Sequence, residues 1–223
     1  MEGINNPIGK FYGRVRSRKL TGTQGQLFET LLPSISISAF SDLGDVQAYS
    51  EVFVEVGFGH GEHIAQLAVQ NADALFVGCE PFVNGVASLL AKIEIHAIEN
   101  IRIFRGDARL LISEVPDNLL AGIFLLFPDP WPKRRHIQRR FLQADTLVMM
   151  CNKLKKNGML RIATDHPKYQ SWVRTLLAQA TTQNLFDVRF FDGSTRPNEQ
   201  SWPRTRYEQK ALGDIMYVEL TKI

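Results

Sequence analysis

The stretch Val52-Phe53-Val54-Glu55-Val56-Gly57-Phe58-Gly59-His60-Gly61 decides the fold. Its first five residues are a short β-branched run that reads as a strand. The strand enters three glycines at spacing two, which permit positive φ and let a ligand approach the backbone closely. Ile64 to Val69 then reads as a helix, so the glycines occupy the turn of a strand–turn–helix unit.

The same alternation continues outward. Leu75 to Cys79 and Ile101 to Phe104 read as strands, with a helix from Val83 to Ala97 between them. Gly122 to Phe127 is an unbroken apolar run, as expected of a strand covered on both faces. A long helix over Ile137 to Leu154, a strand over Met159 to Ala163 and a helix over Tyr169 to Ala180 follow. Phe186 to Phe191 and Ile215 to Leu220 are expected to pair antiparallel at one edge. Strands alternating with helices imply a mostly parallel, doubly wound α/β sheet. Upstream, residues 26–32 read as a short helix ended by Pro33. Residues 1–25 read as a flexible basic arm and residues 26–223 as a single domain.

With 223 residues, 44% of them hydrophobic, the chain can bury one sizeable core. No apolar run approaches the ~20 residues of a membrane span. Met1 to Lys10 lacks the apolar stretch of a signal peptide. Cys79 and Cys151 read as reduced core residues. A cytoplasmic protein with no membrane partner, monomeric or homodimeric, is the expectation. The net charge of +3 is uninformative, but its distribution is not. Lys10, Arg14, Arg16, Arg18 and Lys19 form one basic cluster, and Lys133, Arg134, Arg135, Arg139 and Arg140 another. Each alone reads equally as a solvated surface; two together point to a polyanion such as nucleic acid.

In sheets of this class, ligands bind beyond the carboxyl ends of the strands. The glycine loop there departs from the dinucleotide pattern, because Glu62 stands where the third glycine belongs. Glu55 and Glu62 disfavour a pyrophosphate by Coulomb repulsion and suit a ligand with an amine and a sulfonium, as S-adenosylmethionine has. Glu80, beside Pro81, lies 19 positions after Gly61, where an acid commonly binds ribose hydroxyls. Asp107, before Ala108, is placed to accept from an adenine amino group, to cap the next helix, or both. The segment Phe127-Pro128-Asp129-Pro130-Trp131-Pro132-Lys133-Arg134-Arg135-His136 is the most specific. Its alternate prolines stiffen the backbone and strip it of donors. A rigid loop of this kind can present Asp129 to a base edge, with cations beside it for phosphates. The histidines show no metal-ligand spacing with the cysteines, so no metal is expected.

Glu-Val-Gly-Phe-Gly-x-Gly at 55–61, Pro-Asp-Pro-Trp-Pro-Lys-Arg-Arg-His at 128–136, Ala-Thr-Asp at 163–165 with Tyr169, and Thr-Arg-Tyr-Glu at 205–208 resemble the bacterial tRNA (guanine-N7-)-methyltransferases. The resemblance runs from about Arg14 onward. It implies a Rossmann-like class I methyltransferase fold, S-adenosylmethionine as cofactor, and tRNA as partner, methylated at N7 of guanine 46 in the variable loop. Carried over, Glu55, Gly57, Gly59, Gly61, Glu80, Pro81, Asp107 and Ala108 match cofactor-binding positions. Asp129 matches the catalytic position and also one near the cofactor. Lys133, Asp165, Thr205, Arg206, Tyr207 and Glu208 match substrate-binding positions. Arg135, His136, Arg139 and Arg140 match an RNA-contacting segment. Tyr207 stands where Phe is frequent and Arg206 where Lys is frequent, changes that keep size or charge. A nucleotide-dependent oxidoreductase, a methyltransferase of proteins or small molecules, and a non-catalytic RNA-binding subunit of the same fold remain competing readings.

Overall fold

A computed structural model describes residues 19–181, 185–192, 195, 203–211 and 213–223. Except for Lys19, the basic residues of the expected arm lie outside the described residues.

Among the described residues an eight-stranded sheet forms the centre. Its strands are β1 (Ser36–Ile37), β2 (Val52–Val56), β3 (Leu75–Cys79), β4 (Ile101–Phe104), β5 (Leu120–Leu126), β6 (Leu154–Thr164), β7 (Phe186–Phe191) and β8 (Met216–Lys222). Their spatial order is β1-β4-β3-β2-β5-β6-β8-β7. The first six are parallel; β8 runs antiparallel to β6, and β7 antiparallel to β8. The chain builds β2, β3 and β4 outward in one direction, then returns to lay β5 against the other side of β2. The order therefore reverses between β2 and β5, the place where open α/β sheets leave a crevice for a ligand.

Period-two alternation sends strand side chains to two faces. Val52, Val54 and Val56 join one core cluster, with Leu111 and Ile112 of α5 (Ala108–Glu114), Leu147 and Met150 of α6 (Ala144–Lys153) and Val173 and Leu177 of α7 (Pro167–Thr181). Phe53 points the other way, stacked on Phe76 at 5.0 Å. That face is covered by Ile64 and Leu67 of α3 (Glu62–Gln70) and by Val86, Leu89 and Leu90 of α4 (Val83–His96).

Two expected helices differ. The first begins earlier, as α1 (Gly22–Thr30), because Thr21 and Gln24 form a reciprocal capping box. Pro33 does not end it but sits in the first turn of a separate α2 (Leu32–Ile35), where its missing N–H costs nothing. The long helix expected over Ile137 to Leu154 is broken. A 3₁₀ segment, Arg134–Arg139, ends at an extended Arg140, and α6 starts only after Gln143, which caps it. Its last expected residue, Leu154, opens β6 instead.

Candidate cofactor and nucleic-acid site

Four loops meet at the carboxyl ends of β2, β3, β4 and β5 around a cavity of about 540 Å³, within the range of small-molecule sites. After β2 come Gly57 and Gly59, both at positive φ (69° and 57°). A Cβ on Gly85 of α4 would lie 2.1 Å from the carbonyl oxygen of Gly59, so helix and loop touch backbone to backbone. After β3, Glu80 is buried, accepting from the N–H of Gly59 at 2.8 Å and of Phe82 at 2.9 Å. Burial pushes the Glu80 carboxyl above its usual range; the two N–H donors oppose this, and the charges of Asp129 and Glu55 add to it. After β4, Asp107 caps α5 through the N–H of Arg109 at 3.0 Å and is gripped by the Arg109 guanidinium through Nε and Nη2. After β5 comes the proline-rich loop.

That loop leaves β5 with Phe127 at φ 50°, and Trp131 sits at φ 38°. Two non-glycine residues in the left-handed region thus bracket Asp129, at a cost of order 1–3 kcal/mol each. Asp129 lines the cavity with its outer side exposed; the protein around it still desolvates the carboxyl and pushes its pKa up. Tyr207, on the short α8 (Arg206–Gln209), lies over the opening, its ring stacked on Phe127 at 6.3 Å.

The residues expected at a cofactor or catalytic site divide. Gly57, Gly59, Glu80, Pro81, Asp107, Ala108 and Asp129 line the cavity. Glu55 and Gly61 are not among its lining residues. The Glu55 carboxylate is buried and bonded to Nδ1 of His63 at 2.7 Å, while Gly61 abuts Leu89 at the start of α3. Arg109, which sequence reasoning missed, lines the cavity. Its only signal was a cation two residues past a capping acid.

Among the described residues expected at substrate-binding positions, Tyr207 alone lines the cavity. Thr205 and Glu208 are spent on a capping box for α8, and Glu208 also accepts from the hydroxyl of Tyr217 at 2.7 Å. Asp165 is half-buried beyond the end of β6, and Lys133 is exposed. The side chain of Arg206 lies outside what the structure describes.

The basic segment also divides. Arg134 and Arg135 are exposed, and the Arg139 guanidinium lies over the Trp131 ring at 5.1 Å, at the cavity's rim. His136 meets the same ring edge-on at 5.8 Å. Its pKa is lowered by desolvation and by the positive charges of Arg139, Arg135 and Lys133. Arg140, expected to contact RNA, is buried instead. It donates from Nε to the Pro130 carbonyl at 2.9 Å and from Nη2 to that of Trp131 at 3.4 Å. A buried guanidinium committed to two carbonyls presents nothing to a phosphate.

Chemically, the cavity offers buried acids at its inner end, glycines that admit a ligand against the backbone, and an acid between aromatics at its mouth. That suits a cofactor with hydroxyls and positive charge, opposite a planar substrate. Among the described residues no cluster could hold a metal ion, and no helix is long and apolar enough to cross a membrane.

Comparison with known proteins agrees with this geometry. The family described as "Putative methyltransferase" matches residues 49–214. The tRNA (guanine-N(7)-)-methyltransferase of Zymomonas mobilis is 39% identical, over 93% of this chain and 91% of its own. Those of Paramagnetospirillum magneticum and Caulobacter vibrioides are 40% and 38% identical, over 91% and 97% of this chain and 87% and 95% of theirs. Among solved structures, an antibiotic-related methyltransferase superposes with a TM-score of 0.57 at 17% identity, covering 83% of this chain and 94% of its own. The 16S rRNA methyltransferase KamB superposes at 0.56 and 16%, covering 82% and 92%. At such identities the structures establish the fold alone, that of the class I methyltransferases.

Proposed function

This chain belongs to the tRNA (guanine-N(7)-)-methyltransferase family, and from that premise we propose that it transfers the methyl group of S-adenosylmethionine to N7 of guanine 46 in the tRNA variable loop. One observation supports the reading: Glu80 and Asp107 line the same cavity as Asp129, so a cofactor held by the first two would lie within reach of a base held by the third.

The residues present fit this cofactor. Glu80 suits ribose hydroxyls, the Gly57–Gly59 backbone leaves room for close approach, and the acids of the cavity favour a cation. Bound there, S-adenosylmethionine supplies an electrophilic methyl group. Guanine N7 carries a lone pair and no proton, so the chain need not provide a base. Its tasks are to align the base and to exclude water. Asp129 holds the N1 and exocyclic amine edge of the guanine and stabilises the positive charge that develops on the ring; the other acids expected near that edge, Asp165 and Glu208, do not line the cavity, and Glu208 is committed to Thr205 and Tyr217. Tyr207 and Phe127 close the opening, and Lys133, Arg134, Arg135 and Arg139 attract the phosphates.

The test is methyl transfer from labelled S-adenosylmethionine to unmodified tRNA, with the modified nucleotide mapped. 7-Methylguanosine at position 46 is expected. Any other product overturns the substrate assignment, and no transfer to any tRNA favours a non-catalytic RNA-binding role.

A further inference from the structure

The two adjacent arginines, Arg139 and Arg140, face opposite ways. Arg139 lies on the cavity's rim, whereas the Arg140 guanidinium is buried between the loop and α7, at 5.6 Å from the Tyr169 ring centroid and 5.2 Å from that of Trp172. Both rings belong to α7, and Trp172 is itself fixed by a hydrogen bond from Nε1 to the Leu142 carbonyl at 2.8 Å. Cation–ring contact at such distances is attractive and strengthens as water is excluded.

The loop has particular need of such a donor. Pro128, Pro130 and Pro132 contribute no N–H, so the loop cannot close its own hydrogen bonds in the usual way. Its carbonyls at Pro130 and Trp131 both point at Arg140. Trp131 also stands in a left-handed conformation that a non-glycine residue holds only when its surroundings over-determine it. Asp129 immediately precedes these two residues.

We propose that Arg140 is a positioning residue: it clamps the Pro130 and Trp131 carbonyls to α7 and so fixes the Asp129 carboxylate, leaving phosphate contact in this segment to its exposed neighbours. This rests on the methyl-transfer reading above.

The decisive variant is Arg140→Lys, which keeps the charge but loses the planar fork that reaches two carbonyls while stacking on rings. Turnover on tRNA, the tRNA KM, hydrogen exchange over residues 127–136, and the salt dependence of tRNA binding would be compared with wild type and with Arg139→Ala. Displacing a catalytic group by about an ångström can cost roughly 10²-fold. For Arg140→Lys we expect a kcat lower by that order, a tRNA KM within about twofold, faster exchange in the loop, and an unchanged salt slope. Arg139→Ala should make the slope shallower by about one. Near-normal turnover in Arg140→Lys overturns the proposal. So does a shallower slope in Arg140→Met with kcat retained. If wild type methylates no tRNA, the proposed function fails by itself; loop exchange then decides, and an Arg140→Lys loop as protected as wild type overturns the clamp.

Discussion

Tyr217 donates a hydrogen bond from its hydroxyl to Oε1 of Glu208 across 2.7 Å, tying β8 to the short helix that carries Tyr207 over the cavity. The other carboxylate oxygen accepts the Thr205 N–H at 3.4 Å. Tyr217→Phe removes the donor and leaves the ring in place. Hydrogen bonds to charged groups contribute about 1.5–3 kcal/mol, so a loss near the lower bound is expected in urea denaturation. The tRNA KM should rise several-fold with cofactor affinity unchanged. A variant with wild-type stability and KM would show that the contact holds nothing in place.

Asp129→Ala should abolish turnover while leaving cofactor affinity within a few-fold, measured by calorimetry and by single-turnover methyl transfer. Asp129 lies among glycines and acids that would contact the cofactor without it. Near-normal turnover would remove Asp129 from the catalytic role.

The Asp107–Arg109 grip predicts strong energetic coupling. Both side chains are mostly buried, at 8% and 15% exposure. A double-mutant cycle of Asp107→Ala and Arg109→Ala should give a coupling of about 0.5–3 kcal/mol. Additive effects would mean that the two groups do not depend on each other in solution.

Two glycines separate strain from collision. Gly57→Ala meets no atom within 4 Å but must hold φ at 69°, which costs about 1–2 kcal/mol. Gly85→Ala has no such conformational penalty and gains about 1 kcal/mol of helix propensity, yet its Cβ would meet the Gly59 carbonyl at 2.1 Å. The collision should win. Gly85→Ala is expected to be the more damaging of the two in cofactor affinity, by calorimetry; the reverse order would refute this account of the loop.

Glu80 sets a pH dependence. Its charged form accepts the Gly59 and Phe82 N–H groups, and burial raises its pKa. As pH falls through that raised value, Glu80 protonates and cofactor affinity should drop at a pH above the ordinary glutamate range. Stability runs the other way. A carboxyl whose folded pKa exceeds its unfolded one favours folding below the unfolded value, and that contribution is lost as pH rises through the folded value. Glu80→Gln should bind cofactor more weakly with a flatter pH profile; a profile identical to wild type would point to another group.

The central strands were legible because they are buried on both faces, and the edge strand Phe186–Phe191 because it is rich in aromatic and β-branched residues. The expected bounds Val52–Val56, Leu75–Cys79, Ile101–Phe104 and Phe186–Phe191 are those observed. The helix over Ile137 to Leu154 was misread because Phe141 and Leu142 supply apolar residues at helical spacing while the backbone around them is extended. β1 pairs only Ser36 and Ile37 with β4, too few residues to leave a pattern. At the site, glycines and acids at strand ends could be read from position alone. The inward turn of Arg140 could not, since a run of cations looks the same in sequence whether one of its members faces solvent or a pair of rings.

The placing of β8 between β6 and β7 also makes one sector of the sheet hang on a single strand. Among the described residues β7 precedes β8 in the chain but joins the sheet only through it. Tyr217 travels on β8, so Glu208 has that partner only while β8 is seated beside β6. The last strand of the chain is thus a structural part of the cavity's far wall, and a change that loosens β8 would be felt at Tyr207 before it reached the loops after β2 and β3.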